Sequence, residues 1–135
     1  RLIYHNYYYT TIDYKIKYPE TVILSNLASY FDKIVDVIVY VDKIKEVSTK
    51  KNDKMLFITG SDELNNIDIV LFPKVYQMYS DISVGDIIRV KGKVEKRFDK
   101  LQIVVNELLK LDWQKKSFKL YLKVGEYIWI KRDLR

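Results

Sequence analysis

From Ile34 onward, hydrophobic and polar positions alternate with a period of two. Val35, Val37, Val39 and Val41 interleave with Asp36, Ile38, Tyr40 and Asp42, a β-branched alternation that predicts a strand with one face toward a core. The run continues through Ile44 to Val47, a length that predicts a bent strand serving both ends of a small barrel. Polar turns at Ser48–Asp53 and Gly60–Asn66 separate it from a second strand at 54–60 and a third at 66–72. Pro73 stops the third strand and opens a helix predicted over 74–82, with Val75, Met78 and Tyr79 at helical spacing. A tight turn at Ser83–Asp86 leads into a fourth strand at 86–97, and a hairpin connection at Arg97–Lys100 into a fifth at 100–109.

Three antiparallel strands, a short helix and a hairpin follow one another in the order of an OB-fold. The predicted fold class is mainly β: a five-stranded antiparallel barrel with one short helix between strands three and four that plugs its base. The barrel domain is placed at residues 33–111. Before it, residues 1–32 hold seven of the twelve tyrosines, including Tyr7-Tyr8-Tyr9, and Ser25 is the candidate N-cap of a short helix through Tyr30. This arm reads as a connector packing on the barrel, with base stacking as the other role open to its tyrosines. Residues 112–135 read as the start of a further domain, or as a strand folded back on the barrel.

Composition narrows the function classes. At 135 residues, 48% hydrophobic and 31% charged, the chain fits one globular domain with extensions. No apolar run is long enough to span a bilayer and no signal-peptide pattern opens the chain, so no membrane partner is expected. Arg1 at the start, with no Met before it, suggests a piece of a longer polypeptide. There is no cysteine, and His5 has no ligand partner at usable spacing; no metal site is expected, and a cytoplasmic location fits. The net charge of +6 and pI near 9.3 permit a polyanion partner without demanding one. Richness in Ile, Lys, Asn and Tyr is also what an AT-rich genome produces, so the position of the charges carries more weight than their sum.

No catalytic residues and no cofactor are expected. There is no Ser/His/Asp set, phosphate-cradling glycine loop or paired carboxylates in apolar surroundings, and Gly60-Ser61-Asp62 reads as turn chemistry. Binding is better supplied. An OB barrel holds nucleic acid across strands two and three, between the loops after strands one and four. Both loops are basic here: Lys50, Lys51 and Lys54 surround the first, while Arg97 and Lys100 flank Phe98 in the second. On strand two, Met55 and Phe57 share one face and Leu56 and Ile58 the other; alternation alone leaves open whether Phe57 meets the groove or the core. Arg89, Lys91 and Lys93 alternate with Val90, Gly92 and Val94, as part of the binding surface or as a solvated face.

Thr49-Lys50-Lys51-Asn52-Asp53-Lys54-Met55-Leu56-Phe57-Ile58-Thr59, then Ile67-Asp68-Ile69-Val70-Leu71-Phe72-Pro73 with Tyr76, then Val90-Lys91-Gly92-Lys93-Val94-Glu95 make up a distinctive series. Over residues 34–111 it closely resembles the OB domain near the C-terminus of the bacterial replicative polymerase, the DNA polymerase III alpha subunit of DnaE type. The resemblance implies a non-catalytic piece of a DNA-directed DNA polymerase, a nucleotidyltransferase. It implies a tethered binder of single-stranded DNA that contacts the template strand near the polymerase core. The rest of the polymerase chain and replisome proteins would be its partners, and Phe57 would stand on the groove side. In that family the first strand and its loop usually carry arginines; here Lys43 and Lys45 supply the charge, and Glu46 and Ser48 stand where arginine is common. Gly60 and Asn65 also depart from the family pattern, and its preceding His-Pro element has no counterpart in the Tyr7–Thr10 stretch.

The Met-x-Phe strand and the Asp-containing turn after it are also similar to the anticodon-binding domain of class II aminoacyl-tRNA synthetases, where that phenylalanine stacks an anticodon base. Phe72-Pro73 and Tyr76 favour the polymerase. A protein-interaction OB domain with solvated basic loops is the third reading.

Overall fold

The structure is a computed structural model. It describes the backbone of residues 2–8, 10–79, 81–111, 115–123 and 126–133, and the side chains of residues 10–79 and 81–111. In chain order the elements are β1 (Leu2–Tyr8), α1 (Thr11–Lys17), a 3-10 helix (Leu24–Tyr30), β2 (Ile34–Ser48), β3 (Lys54–Ser61), β4 (Asn66–Leu71), α2 (Pro73–Tyr76), β5 (Ile87–Arg97), β6 (Lys100–Leu111), β7 (Lys115–Lys123) and β8 (Glu126–Asp133). They form two compact units, residues 1–10 with 112–135, and residues 11–111; the sequence suggested boundaries after 32 and after 111. The smaller unit is an antiparallel sheet ordered β1-β7-β8. The side chains of Tyr7–Tyr9, and with them the proposed packing or stacking role of that cluster, lie outside the described residues.

The larger unit is a closed barrel with strand order β2-β3-β4-β6-β5. β2 closes it alone: Ile34–Tyr40 pair with β5, and Tyr40–Ser48 pair with β3. A register shift between Val41 and Lys43 supplies the bulge that turns one strand from one neighbour to the next. Each barrel strand ends within two residues of its predicted position.

The expectation of an all-antiparallel barrel is corrected at one seam. Asp68, Ile69 and Val70 of β4 run parallel to Gln102, Ile103 and Val104 of β6. The cause is parity: direction cannot alternate all the way around a ring of five strands, so one neighbouring pair must point the same way. The helix is also shorter than the predicted 74–82, spanning only Pro73–Tyr76, and Met78 is exposed rather than on a buried face. The 3-10 helix begins at Leu24 after Ile23, with no side-chain cap, so Ser25 is not the N-cap.

Alternation along the strands fills the core. Val35, Val37, Val39 and Val41 of β2, Leu56 and Ile58 of β3, Ile67, Ile69 and Leu71 of β4, Ile88, Val90 and Val94 of β5, and Ile103 and Val105 of β6 form one buried cluster. Leu24 and Leu27 of the 3-10 helix complete it fully buried, whereas Val75, Tyr76 and Tyr79 lean on it half-buried.

Gly92 lies at a second register shift, between Lys91 and Gly92 on the β5–β6 ladder. A Cβ there would sit 2.2 Å from the carbonyl oxygen of Val104, which is backbone and cannot swing aside. The Val-Lys-Gly-Lys-Val run therefore owes its glycine to a close crossing of two strands.

A polar clasp ties α1 to the β3–β4 turn. Lys15 Nζ lies 3.1 Å from Asp62 Oδ2 and 3.0 Å from Glu63 Oε2, and the Thr11 hydroxyl donates to Glu63 Oε1. Asp62 also accepts backbone N–H groups from Leu24, Leu64 and Asn65, so Gly60-Ser61-Asp62 performs turn chemistry. Burial works to raise both carboxyls, but these donors overcome it. The N–H groups of Asn65, Leu64 and Leu24, then Lys15, hold Asp62 below its ordinary 3.8. Thr11, the N–H of Glu63 itself and Lys15 hold Glu63 below 4.5.

Two outcomes follow for stability. Gly92→Ala should lower the unfolding free energy by about 1–3 kcal/mol or more, read as a fall in the denaturant midpoint. Because the folded carboxyl pKa values lie below the unfolded ones, the clasp stabilises fully above about pH 5 and loses its effect as pH falls through the depressed folded values. Melting temperature should therefore drop on acidification through that window, and Asp62→Asn should lower it at neutral pH while flattening the acid limb. An acid limb as steep in the variant as in the parent would remove Asp62 from the account.

Candidate nucleic-acid interface

The outward faces of β3, β4 and β6 line a groove of about 970 Å³. On β3 the buried residues are Leu56, Ile58 and Gly60, which leaves Met55, Phe57 and Thr59 facing out. Phe57 is thus placed in the groove and the tie left by alternation is resolved. Its cross-strand partner on β4 is Val70, followed on β6 by Val104. Val70 faces outward yet is only 2% exposed, the apolar floor beneath the ring. One row along, Thr59 opposes Asp68, and Asp68 opposes Gln102. The apolar row beside the polar row gives the groove a stacking place with hydrogen-bonding groups next to it.

The wall is the β5–β6 hairpin. Arg97 pairs with Lys100 across the strands, leaving Phe98 and Asp99 as a two-residue loop. Their φ values are +51° and +63°, the left-handed pair that a type I′ hairpin demands and that Asn-Gly usually supplies. A bulky aromatic there is strained, at a cost on the order of 1 kcal/mol. Phe98 is 92% exposed, so burial does not repay that cost. The Arg97 guanidinium lies 5.5 Å from the Phe57 ring centre and 5.6 Å from that of Phe98, within cation–π range of both. Lys45 lines the opposite side, beside Phe57 in register.

The structure divides the sequence-predicted residues. Lys45, Phe57, Arg97, Phe98 and Lys100 come together in the groove. Lys43 stands exposed opposite Thr59, and Lys50 and Lys51 are exposed in the turn beyond the lining. Lys54 pairs with Glu46 at 3.4 Å. Arg89, Lys91 and Lys93 of β5 lie elsewhere. Arg89 holds Asp36 through two nitrogens and Glu20 through one, under the Tyr18 ring, and Asp36 and then Glu20 raise its pKa further. Lys93 pairs with Asp32 at 3.0 Å, which raises its pKa, and Lys91 faces a separate depression beside Glu107. Sequence reasoning passed over Thr59, Asp68, Val70, Phe72 and Gln102 as groove residues. Their odd-numbered or even-numbered spacing opposite the core positions was the available signal.

Residues 35–111, more than half of the chain, match the profile of the OB-fold nucleic acid binding domain. The chain belongs to this family. Among curated relatives, the domain is 33% identical over 86 residues to the DNA polymerase III subunit alpha of Staphylococcus aureus. It is 34% identical over 88 residues to the protein of the same name in Halalkalibacterium halodurans. These matches cover 63% and 62% of this chain and 8% of each relative, so the chain spans a small part of their length. The resemblance read from the motifs is thereby found. Among solved structures, the OB-fold domain is similar to a putative aspartyl-tRNA synthetase from Leishmania major Friedlin, with TM-score 0.55 and 15% identity over 67% of this chain and 20% of that one. It is also similar to the p204 HINb domain, with TM-score 0.58 and 13% identity over 76% of this chain and 52% of that one. At those identities the likeness is one of fold.

The strained hairpin makes a specific prediction. Replacing Phe98-Asp99 by Asn-Gly should raise stability by about 1 kcal/mol, because both residues accept positive φ readily. A melt showing no gain would mean that the native turn stores no strain.

Proposed function

We propose that this OB-fold domain binds single-stranded DNA as a module of a bacterial replicative DNA polymerase alpha subunit, contacting the template strand near the polymerase core. The observation that carries this reading is the groove itself: Phe57 on an apolar floor, Arg97 between two aromatic rings, and Lys45 and Lys100 at its sides. Aromatic faces accept any unstacked base, and flanking cations follow the phosphates, which suits single strands and not a closed duplex. Relatives named DNA polymerase III subunit alpha support the assignment to such a chain. The remainder of the polymerase and replisome proteins are the partners it implies, in the bacterial cytoplasm, with DNA synthesis carried out elsewhere in the parent enzyme.

Titration of labelled single-stranded and duplex DNA at two salt concentrations tests this reading. Single strands should bind more tightly, with an affinity that falls steeply with salt. Alanine at Lys45 or Arg97 should each reduce the log–log salt slope by about 0.7, the value for one lost single-strand phosphate contact. Phe57→Ala should cost about 1–3 kcal/mol of binding, with a loss of fold stability well short of the roughly 3–5 kcal/mol of a buried phenylalanine. Equal affinity for duplex, or a strong preference for tRNA, would overturn the proposal. The same titration on Lys50→Ala and Lys51→Ala measures whether the turn beyond the groove takes part.

A further inference from the structure

One groove residue is out of place for phosphate binding. Among the described residues, Asp68 brings the one carboxylate into a lining of cations, neutral polar groups and apolar groups, with Lys100 Nζ 3.3 Å from its Oδ2. Both side chains are substantially exposed, and an exposed pair of this kind adds only about 0–1 kcal/mol to stability. Folding therefore gives little reason for an anion there, and every phosphate entering the groove meets its repulsion. A carboxylate is useful where a ligand presents N–H donors.

Resting on the single-strand reading above, we infer that Asp68 and Lys100 together read the Watson–Crick edge of a guanine stacked at Phe57. Asp68 is two residues from Val70 on β4, on the same outward face, and Val70 is the cross-strand partner of Phe57. Same-face neighbours on a strand stand roughly 7 Å apart, near the reach of a base edge plus one hydrogen bond. The carboxylate offers two acceptor oxygens with lone pairs to spare after the lysine contact. The ammonium beside it is a donor only. Acceptor, acceptor, donor in sequence complements the guanine edge, where the 2-amino group and N1–H donate and O6 accepts. Adenine and cytosine present an acceptor in place of the guanine N1–H, and thymine presents one in place of the 2-amino group, so each would aim a lone pair at the carboxylate. Gln102 and Thr59 flank Asp68 on the neighbouring strands and leave it facing the groove.

The test uses the whole chain and an oligothymidine about a dozen nucleotides long, matched to the site size of an OB fold. Its centre carries thymine, guanine, hypoxanthine, adenine or cytosine in turn, and affinity is read by fluorescence anisotropy. Guanine should bind about fivefold or more tighter than thymine, the range of a bidentate base contact. Hypoxanthine, lacking only the 2-amino group, should fall between. Asp68→Asn, an isosteric change whose fold is checked by thermal melting, should collapse the guanine preference and turn it toward adenine, whose donor and acceptor suit an amide. Guanine and thymine strands bound equally well by the parent chain would overturn guanine reading and leave single-strand binding standing. If no strand binds at low salt, both fail together. A guanine preference that survives unchanged in Asp68→Asn would overturn the assignment to this residue.

Discussion

The barrel depends on one strand dividing its hydrogen bonds between two neighbours. β2 serves β5 with its first half and β3 with its second, and the bulge between Val41 and Lys43 allows the change of direction. Without that bend the sheet would remain open, with unpaired backbone groups along two edges. With it, each inward side chain of five strands meets the others in a single core. A second bulge, on the β5–β6 ladder, brings the close approach at Gly92, where a strand carbonyl occupies the space of a side chain.

The groove is what closure leaves over. Once the inward faces of β3, β4 and β6 are committed to the core, their outward faces are fixed in register with one another. Phe57, Val70 and Val104 line up as one row, and Thr59, Asp68 and Gln102 as the next. The ladder under these rows preorganises them, and the hairpin adds the wall. Arg97 rests between the rings of Phe57 and Phe98, so the wall and the floor of the site are held in contact before any ligand arrives. The strain at Phe98 and the exposure of its ring are together the usual mark of a residue retained for contact with a partner.

Strands were legible because a period of two survives in β-branched sequence whatever lies next to it. Val35, Val37, Val39 and Val41, and Ile67, Ile69 and Leu71, each share the one buried face that alternation gave them. Phe57 needed more than alternation, since either face of β3 carries apolar residues. The β5 cations show where sequence runs out. Arg89, Lys91 and Lys93 look like a basic binding strip until Asp36, Glu20 and Asp32 are brought beside them from far along the chain. Asp68 was visible only as a polar position in a strand, and its pairing with Lys100 depends on the β4–β6 seam. The α1 helix was missed for the same reason, because Lys15 finds Asp62 and Glu63 only after folding.

That parallel seam also separates local from long-range pairing in the ring. Every antiparallel pair in the ring except β2–β5 joins strands that are consecutive in sequence, so hairpins can form them locally. The β4–β6 and β2–β5 pairs instead join segments separated by whole elements, and each must wait for a long loop to be closed at an entropic cost. Local hairpins can therefore precede the ring, which is complete only when both long-range seams have formed. A chain caught short of it bears the raw edges of β4 and β6, where a second unfinished chain could pair.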